Sequence, residues 1–280
     1  MSTYIIAELG VNHNGDIGIA KKMIDTALIA GCNAVKFQKR TIEKVYTKEY
    51  LDSELESPWG NTVREEKEHL EFGQEEYDEI ERYCKKKGIE WFASAWDVEA
   101  QKFLQQYNFK HNKVPSVMLR NDTLLEMIAK EGKYTFIATG MSSFEEIDHA
   151  VEIFRKYDCP FELMHCNSTY PMPSRDANLK LIDVMRNRYR CKVGYSGHEL
   201  GTLVSACAVA MGATSIERHV TLDKNMYGIN QKSAIQPYEL WKLVQDIRDT
   251  EMIIGTGEKV LTSAEQEMKE WAGRIKNDFL

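Results

Sequence analysis

The chain has 280 residues, 43% of them hydrophobic and 28% charged, with a formal net charge of −7. That is ordinary globular composition with length for a large core, and an acidic balance without a basic run removes the electrostatic case for nucleic acid. No stretch reaches the ~18 uncharged apolar residues of a membrane span, and no signal-peptide pattern opens the chain, so a cytoplasmic protein is expected.

Residues 4–8 (Y-I-I-A-E) form an apolar run that ends in a carboxylate and opens into a loop, the pattern of a buried parallel strand. Helical spacing over 19–30 stops at Gly31. A second strand follows at 34–38, with a lysine inside its apolar run. Residues 39–71 are polar and acidic with no clean period, and a loop of this length is usually a lid or a binding loop. Residues 75–87 predict an amphipathic helix.

The unit then repeats. Strands are predicted at 90–94, 110–115, 135–139, 161–165, 192–195 and 215–219. Helices are predicted at 98–107, 123–131, 144–157, 177–188 and 201–211, and Pro237 opens a last helix at 237–254. Eight strands alternating with helices predict a closed (β/α)8 TIM barrel. The predicted division is a barrel over 1–258 and a helical tail over 259–280, with an amphipathic helix at 264–275 able to pack on the barrel. Cys32, Cys84, Cys159, Cys166, Cys191 and Cys207 are scattered without a C-x-x-C, which predicts reduced, mostly buried thiols.

Chemistry in such barrels collects where strands run into the following loops. Those positions carry Glu8, Asn12 and His13; Lys36 and Gln38; Ser94 and Asp97; Lys113 and Ser116; and Thr139 with Gly140. The later strands add His165, Asn167, Ser168 and Tyr170, then Ser196, His198, Glu217, Arg218 and His219. Lysines inside buried strands are costly without an anion. Lys36 and Lys113, with hydroxyls around them, describe a phosphate or carboxylate–phosphate pocket. The alternative pairs each lysine with a structural carboxylate such as Glu8, Glu217 or Asp97; a Schiff-base lysine would leave the second lysine and the histidines idle. His198 and His219 end neighbouring parallel strands. They are either two ligands of one divalent metal or two unrelated imidazoles. His165 reads as a satisfied core histidine, and His13 as equally suited to shaping its loop. His69, His111 and His149 read as surface or packing residues.

Several segments match a known family in order over residues 4–256. They are A-E-L-G-V-N-H-N-G at 7–15, V-K-F-Q at 35–38, F-A-S-A-W-D at 92–97 and K-V-P-S at 113–116. A-T-G-M at 138–141, M-H-C-N-S-T-Y-P at 164–171, G-Y-S-G-H at 194–198 and E-R-H at 217–219 complete the set. Together they resemble the sialic acid synthase family, in a short form without the C-terminal antifreeze-like domain. The resemblance implies condensation of phosphoenolpyruvate with an N-acetylmannosamine-type aldehyde, giving a nonulosonic 2-keto sugar acid and phosphate. It implies a divalent metal, Mn2+ or Mg2+, on His198 and His219. Lys36, Ser94, Lys113, Ser116, Ser168 and Ser196 would bind phosphoenolpyruvate; Glu8, Gln38 and Tyr170 would face the sugar. A homodimer is also implied. Two acceptor-side positions depart from the better-known members: Met118 stands where those carry a glutamate, and Asn230 where those carry an aspartate. A different aldehyde acceptor, or a relative that binds phosphoenolpyruvate without turnover, are the alternatives these departures keep open.

Overall fold

The computed structural model describes residues 2–274. All eight strands form, as Tyr4–Gly10, Ala34–Lys39, Glu90–Ala95, His111–Val114, Tyr134–Ala138, Phe161–Cys166, Lys192–Gly197 and Ser215–His219. They pair in parallel in the order third, second, first, eighth, seventh, sixth, fifth, fourth. The third and fourth strands lie side by side without a shared ladder, so the barrel closes except at one seam. The expected (β/α)8 fold is what this chain adopts.

Alternation along each strand explains why apolar runs carry the polar residues they do. In the first strand Ile5, Ala7 and Leu9 face the helices and are buried, while Ile6 and Glu8 face the barrel interior. Low in the interior the rings of Tyr4, Phe92 and Phe136 pack together, with Phe136 5.8 Å from Tyr4 and 6.0 Å from Phe92. Further toward the C-terminal rim the same strands present Glu8, Ser94 and Ala138. An aromatic floor thus closes the barrel beneath a polar layer.

Three expectations need correction. Residues 39–71 are not a structureless loop: helices Ile42–Val45 and Lys48–Leu51, a hairpin of Glu54–Ser57 with Gly60–Thr62, and helix Val63–Leu70 fill them. Pieces this short leave no period to read, although Thr62 and Glu65 do form a capping box. The helix expected at 177–188 runs Leu181–Tyr189, after a 3-10 turn at Ser174–Asp176. The tail helix forms as Ser263–Ala272 but buries no residue, so it does not pack on the barrel; the expected end at 275 lies outside the described residues. Four of the six cysteines are buried, Cys191 is half-buried and Cys207 exposed, and none is bridged. Among the described residues no helix is long and apolar enough to cross a membrane.

His13 shapes the first loop. Its ring stacks on Phe72 at 3.8 Å, and Nδ1 accepts from the Gly15 N–H at 3.2 Å. Burial pushes its pKa down to about 3. The folded state therefore holds it neutral, while an unfolded chain protonates it below about pH 6.5. Its contribution is complete above that pH and is lost as pH falls toward about 3. In His13→Asn, stability measured by denaturant melts is expected to fall less steeply between pH 7 and pH 4 than in the native chain. Equal slopes would count against this role.

Candidate active site

Strand register assembles the site. Glu8 is level with Lys36 on one neighbour and with His219 on the other. Glu217 is level with Ser196, and Gln38 with Ser94. The inward residues of all eight strands therefore meet at the C-terminal rim, in a cavity of about 320 Å³. Glu8, Lys36, Gln38, Ser94, Lys113, Ser116, Ser168, Tyr170, Ser196, His198, His219 and Asn230 all line it.

Four buried charges form its base. Lys36 Nζ lies 2.5 Å from Glu8 Oε2 and 3.7 Å from Glu217 Oε1. Lys113 Nζ donates to Glu217 Oε2 at 2.8 Å, and Ser196 Oγ donates to Glu217 Oε1 at 3.3 Å. Gln38 Nε2 donates to Glu8 Oε1 at 2.6 Å, and Arg40 donates to the Gln38 amide oxygen. Charges this deep persist because each is paired. Burial works to raise the pKa of Glu217, but Lys113 and then Lys36 outweigh it and hold it at about 2. At Glu8 burial wins, aided by Glu217 and opposed by Lys36, and the pKa is raised. Burial pulls the Lys36 pKa down, yet Glu217 and Glu8 together leave it raised. The lysines thus have carboxylate partners and also line the cavity. An ammonium has three donors, so neither is exhausted by these contacts.

A wall of small polar groups stands beside them. Ser116 Oγ accepts from the Gly140 N–H at 3.1 Å and lies 3.1 Å from Cys166 Sγ. A Cβ on Gly140 would sit 2.2 Å from Ser168 Oγ, 2.8 Å from Cys166 Sγ and 2.9 Å from Ser116 Oγ. The bare backbone there is what gives three side chains room to converge.

The imidazoles of His198 and His219 are 5.7 Å apart by ring centroid, with the Tyr170 ring 4.2 Å from the first. Burial lowers both pKa values, that of His219 strongly and with help from His198. His198 Nδ1 donates to the Asn167 carbonyl at 2.7 Å, which leaves the lone pair on Nε2. His219 Nδ1 is buried with no hydrogen-bond partner among the described residues. Neutral rings with an uncommitted nitrogen suit a divalent ion. Among the described residues no group of three or more His, Cys, Asp or Glu is placed to hold a metal ion. Glu8 and Glu217 are engaged by lysines, so other ligands would have to be water or substrate.

Other expected residues do different work. Thr139 Oγ donates to the Met164 carbonyl at 3.1 Å instead of joining the hydroxyl wall. Met118, expected at the acceptor, does not line the cavity; the 3-10 turn Ser116–Met118 turns it against the core. Asp97 caps the next helix and accepts from the Thr41 N–H, and His165 bonds the Ala177 carbonyl as a core histidine does.

Glu217, expected as a carboxylate partner for a lysine, is shared by both. Residues overlooked in the sequence also line the site. Arg40 stacks over Trp96 at 4.0 Å, and its place two residues beyond Gln38 in the strand alternation is the signal that could have found it. Ile42, Tyr46, Lys67 and Leu70 roof the cavity from the 39–71 segment. That segment is clasped across the mouth: Trp59 stacks on His69 at 4.4 Å and meets Tyr227 edge-on at 5.2 Å.

A barrel whose rim joins paired lysines, hydroxyls and two imidazoles in one cavity is the scaffold of an enzyme. The chain belongs to the NeuB family, whose model matches residues 23–259. It is 38% identical over 274 residues to N-acetylneuraminate-9-phosphate synthase of Mus musculus, covering 97% of this chain and 76% of that protein. N,N'-diacetyllegionaminic acid synthase of Legionella pneumophila is 35% identical over 267 residues, covering 92% and 75%. The crystal structure of N-acetylneuraminic acid synthetase from Leptospira borgpetersenii in complex with citrate superposes with a TM-score of 0.87 at 34% identity, covering 99% of this chain and 93% of that one. The protein is accordingly an enzyme of the carbon–carbon bond-forming transferases that use phosphoenolpyruvate.

Proposed function

We propose that the protein condenses phosphoenolpyruvate with an N-acetylmannosamine-like aldose to give a sialic-acid-type 2-keto sugar acid and inorganic phosphate. The observation that carries this reading is the convergence of Lys36, Lys113, His198 and His219 on one cavity. A phosphate group brings about −1.5 to −2 charge at pH 7, and the substrate adds a carboxylate. Lys36 and Lys113 offset that charge, and Ser94, Ser116, Ser168 and Ser196 orient the oxygens. Gln38, Tyr170 and Asn230 face the acceptor.

The enol carbon C3 attacks the aldehyde carbon, and the aldehyde oxygen takes a proton. Glu8, which lines the cavity, is the group assigned to that proton transfer or to orienting the sugar hydroxyls. Water adds to the cation left at C2 and loses one proton, which replaces the one taken up by the aldehyde oxygen. The C2–O bond to phosphate then breaks, the new hydroxyl gives its proton to the leaving phosphate, and the ketone forms. A Mn2+ or Mg2+ ion held by His198 and His219 would supply Lewis-acid polarisation of the acceptor carbonyl. The 39–71 segment acts as the lid, and a cytoplasmic homodimer is part of the same proposal.

Phosphate release from phosphoenolpyruvate, Mn2+ and N-acetylmannosamine is the test. Release is expected, and His219→Ala should reduce it by about 10²-fold or more. Asn230 at the cavity wall favours one second reading, a different sugar aldehyde. Release with another aldehyde but not with N-acetylmannosamine, or a gain of N-acetylmannosamine use in Asn230→Asp, would establish it. Binding of phosphoenolpyruvate without release from any aldehyde would leave a non-catalytic relative.

A further inference from the structure

We propose that Arg218 and Glu199 are positioning residues that set the spacing of the two imidazoles. Neither lines the cavity, and each is the chain neighbour of one imidazole. Their side chains are 1% and 0% exposed.

Arg218 Nη1 donates to Glu199 Oε1 and to the Gly201 carbonyl, both at 2.8 Å, and to Ser205 Oγ at 3.1 Å. Arg218 Nη2 donates to the Glu199 carbonyl at 2.5 Å. Glu199 is held from its own side by Tyr195 Oη at 2.9 Å and by Ser205 Oγ at 2.7 Å. One guanidinium thereby grips both the side chain and the main chain of the residue after His198, from the residue before His219. It ties the seventh loop to the eighth strand at the height of the rings.

A buried ion pair is weak evidence for stability, because apolar residues of similar size do as well. Its value here is geometric. Gly197 makes the space: a Cβ there would lie 2.4 Å from Glu199 Oε2 and 3.0 Å from Arg218 Cδ. Lysine would keep the charge at 218 but lose the planar fork that reaches carboxylate and carbonyl together.

The inference rests on reading His198 and His219 as metal ligands, and the experiment separates the two. Metal-free protein is titrated with Co2+ and followed by absorbance, and phosphoenolpyruvate binding without metal is followed by calorimetry. In Arg218→Lys and Glu199→Gln, cobalt affinity should fall about 10–100-fold, the usual effect of removing an outer support of a ligand. Phosphoenolpyruvate affinity should hold, and a crystal structure of Arg218→Lys should show the ring separation moved from 5.7 Å. Ser205→Ala, which removes one arm from each partner, should shift cobalt affinity the same way by less, and decides the matter if the other variants do not fold. Unchanged cobalt affinity in a folded variant, or equal loss of both ligands, overturns the inference. Should the native chain bind no cobalt, the metal reading fails, and the ring positions in Arg218→Lys still decide this one.

Discussion

Lys113→Met is expected to lower turnover by about 10²–10³-fold, the scale for deleting one preorganised charge-stabilising donor. The same change should cost about 3–5 kcal/mol of stability, because it strands a buried carboxylate. Glu217 stays ionised at that depth through two ammonium groups, and Lys113 is the nearer, at 2.8 Å against 3.7 Å for Lys36. The loss should lower the melting temperature by on the order of 10 °C. Adding Glu217→Gln to Lys113→Met removes the stranded charge and should recover most of that temperature without recovering turnover. Melting curves and steady-state phosphate release on the single and double variants separate the two effects. A single variant that turns over as fast as the native chain would show that the lysine serves the fold alone.

Gly140→Ala should abolish tight binding of phosphoenolpyruvate in a protein that still folds. The glycine does not need a left-handed backbone, since it is not among the positive-φ residues. The new methyl would meet the flexible ends of Ser168, Cys166 and Ser116 at 2.2, 2.8 and 2.9 Å. Those groups can swing aside, so the stability cost stays within the ~1–3 kcal/mol of an overpacked site. They can do so only by leaving the positions from which they would orient the ligand, and displacements near 1 Å cost about 10²-fold at such sites. Calorimetric titration with phosphoenolpyruvate, beside a thermal melt, tests this. Native affinity in the variant would mean that the hydroxyl wall is not where the anion sits.

Much of this arrangement could be read in the chain before any coordinates. Eight apolar runs spaced by helical segments predict a barrel, because a parallel strand buried on both faces has little choice of partners. Charged residues inside those runs mark the inward face, which is why Lys36, Lys113 and Glu8 were legible. What escaped depends on contacts across the barrel. Nothing near Glu217 in sequence shows that one carboxylate serves lysines from the second and fourth strands. Gly140 is one glycine after a strand until Ser116 and Ser168 arrive from its neighbours. Met118 was placed by alignment of motifs, but a 3-10 turn rotates it away from the cavity. The 39–71 segment hid its helices because none exceeds eight residues.

The unladdered seam between Glu90–Ala95 and His111–Val114 bears on solubility. An open sheet offers its outermost backbone groups to any passing chain and so invites fibril growth. Here the two margins confront one another inside a ring of helices, and each shields the other from intruders. The strands on either side also carry Ser94 and Lys113. A ligand gripping both would act as a staple across the one gap in the staves.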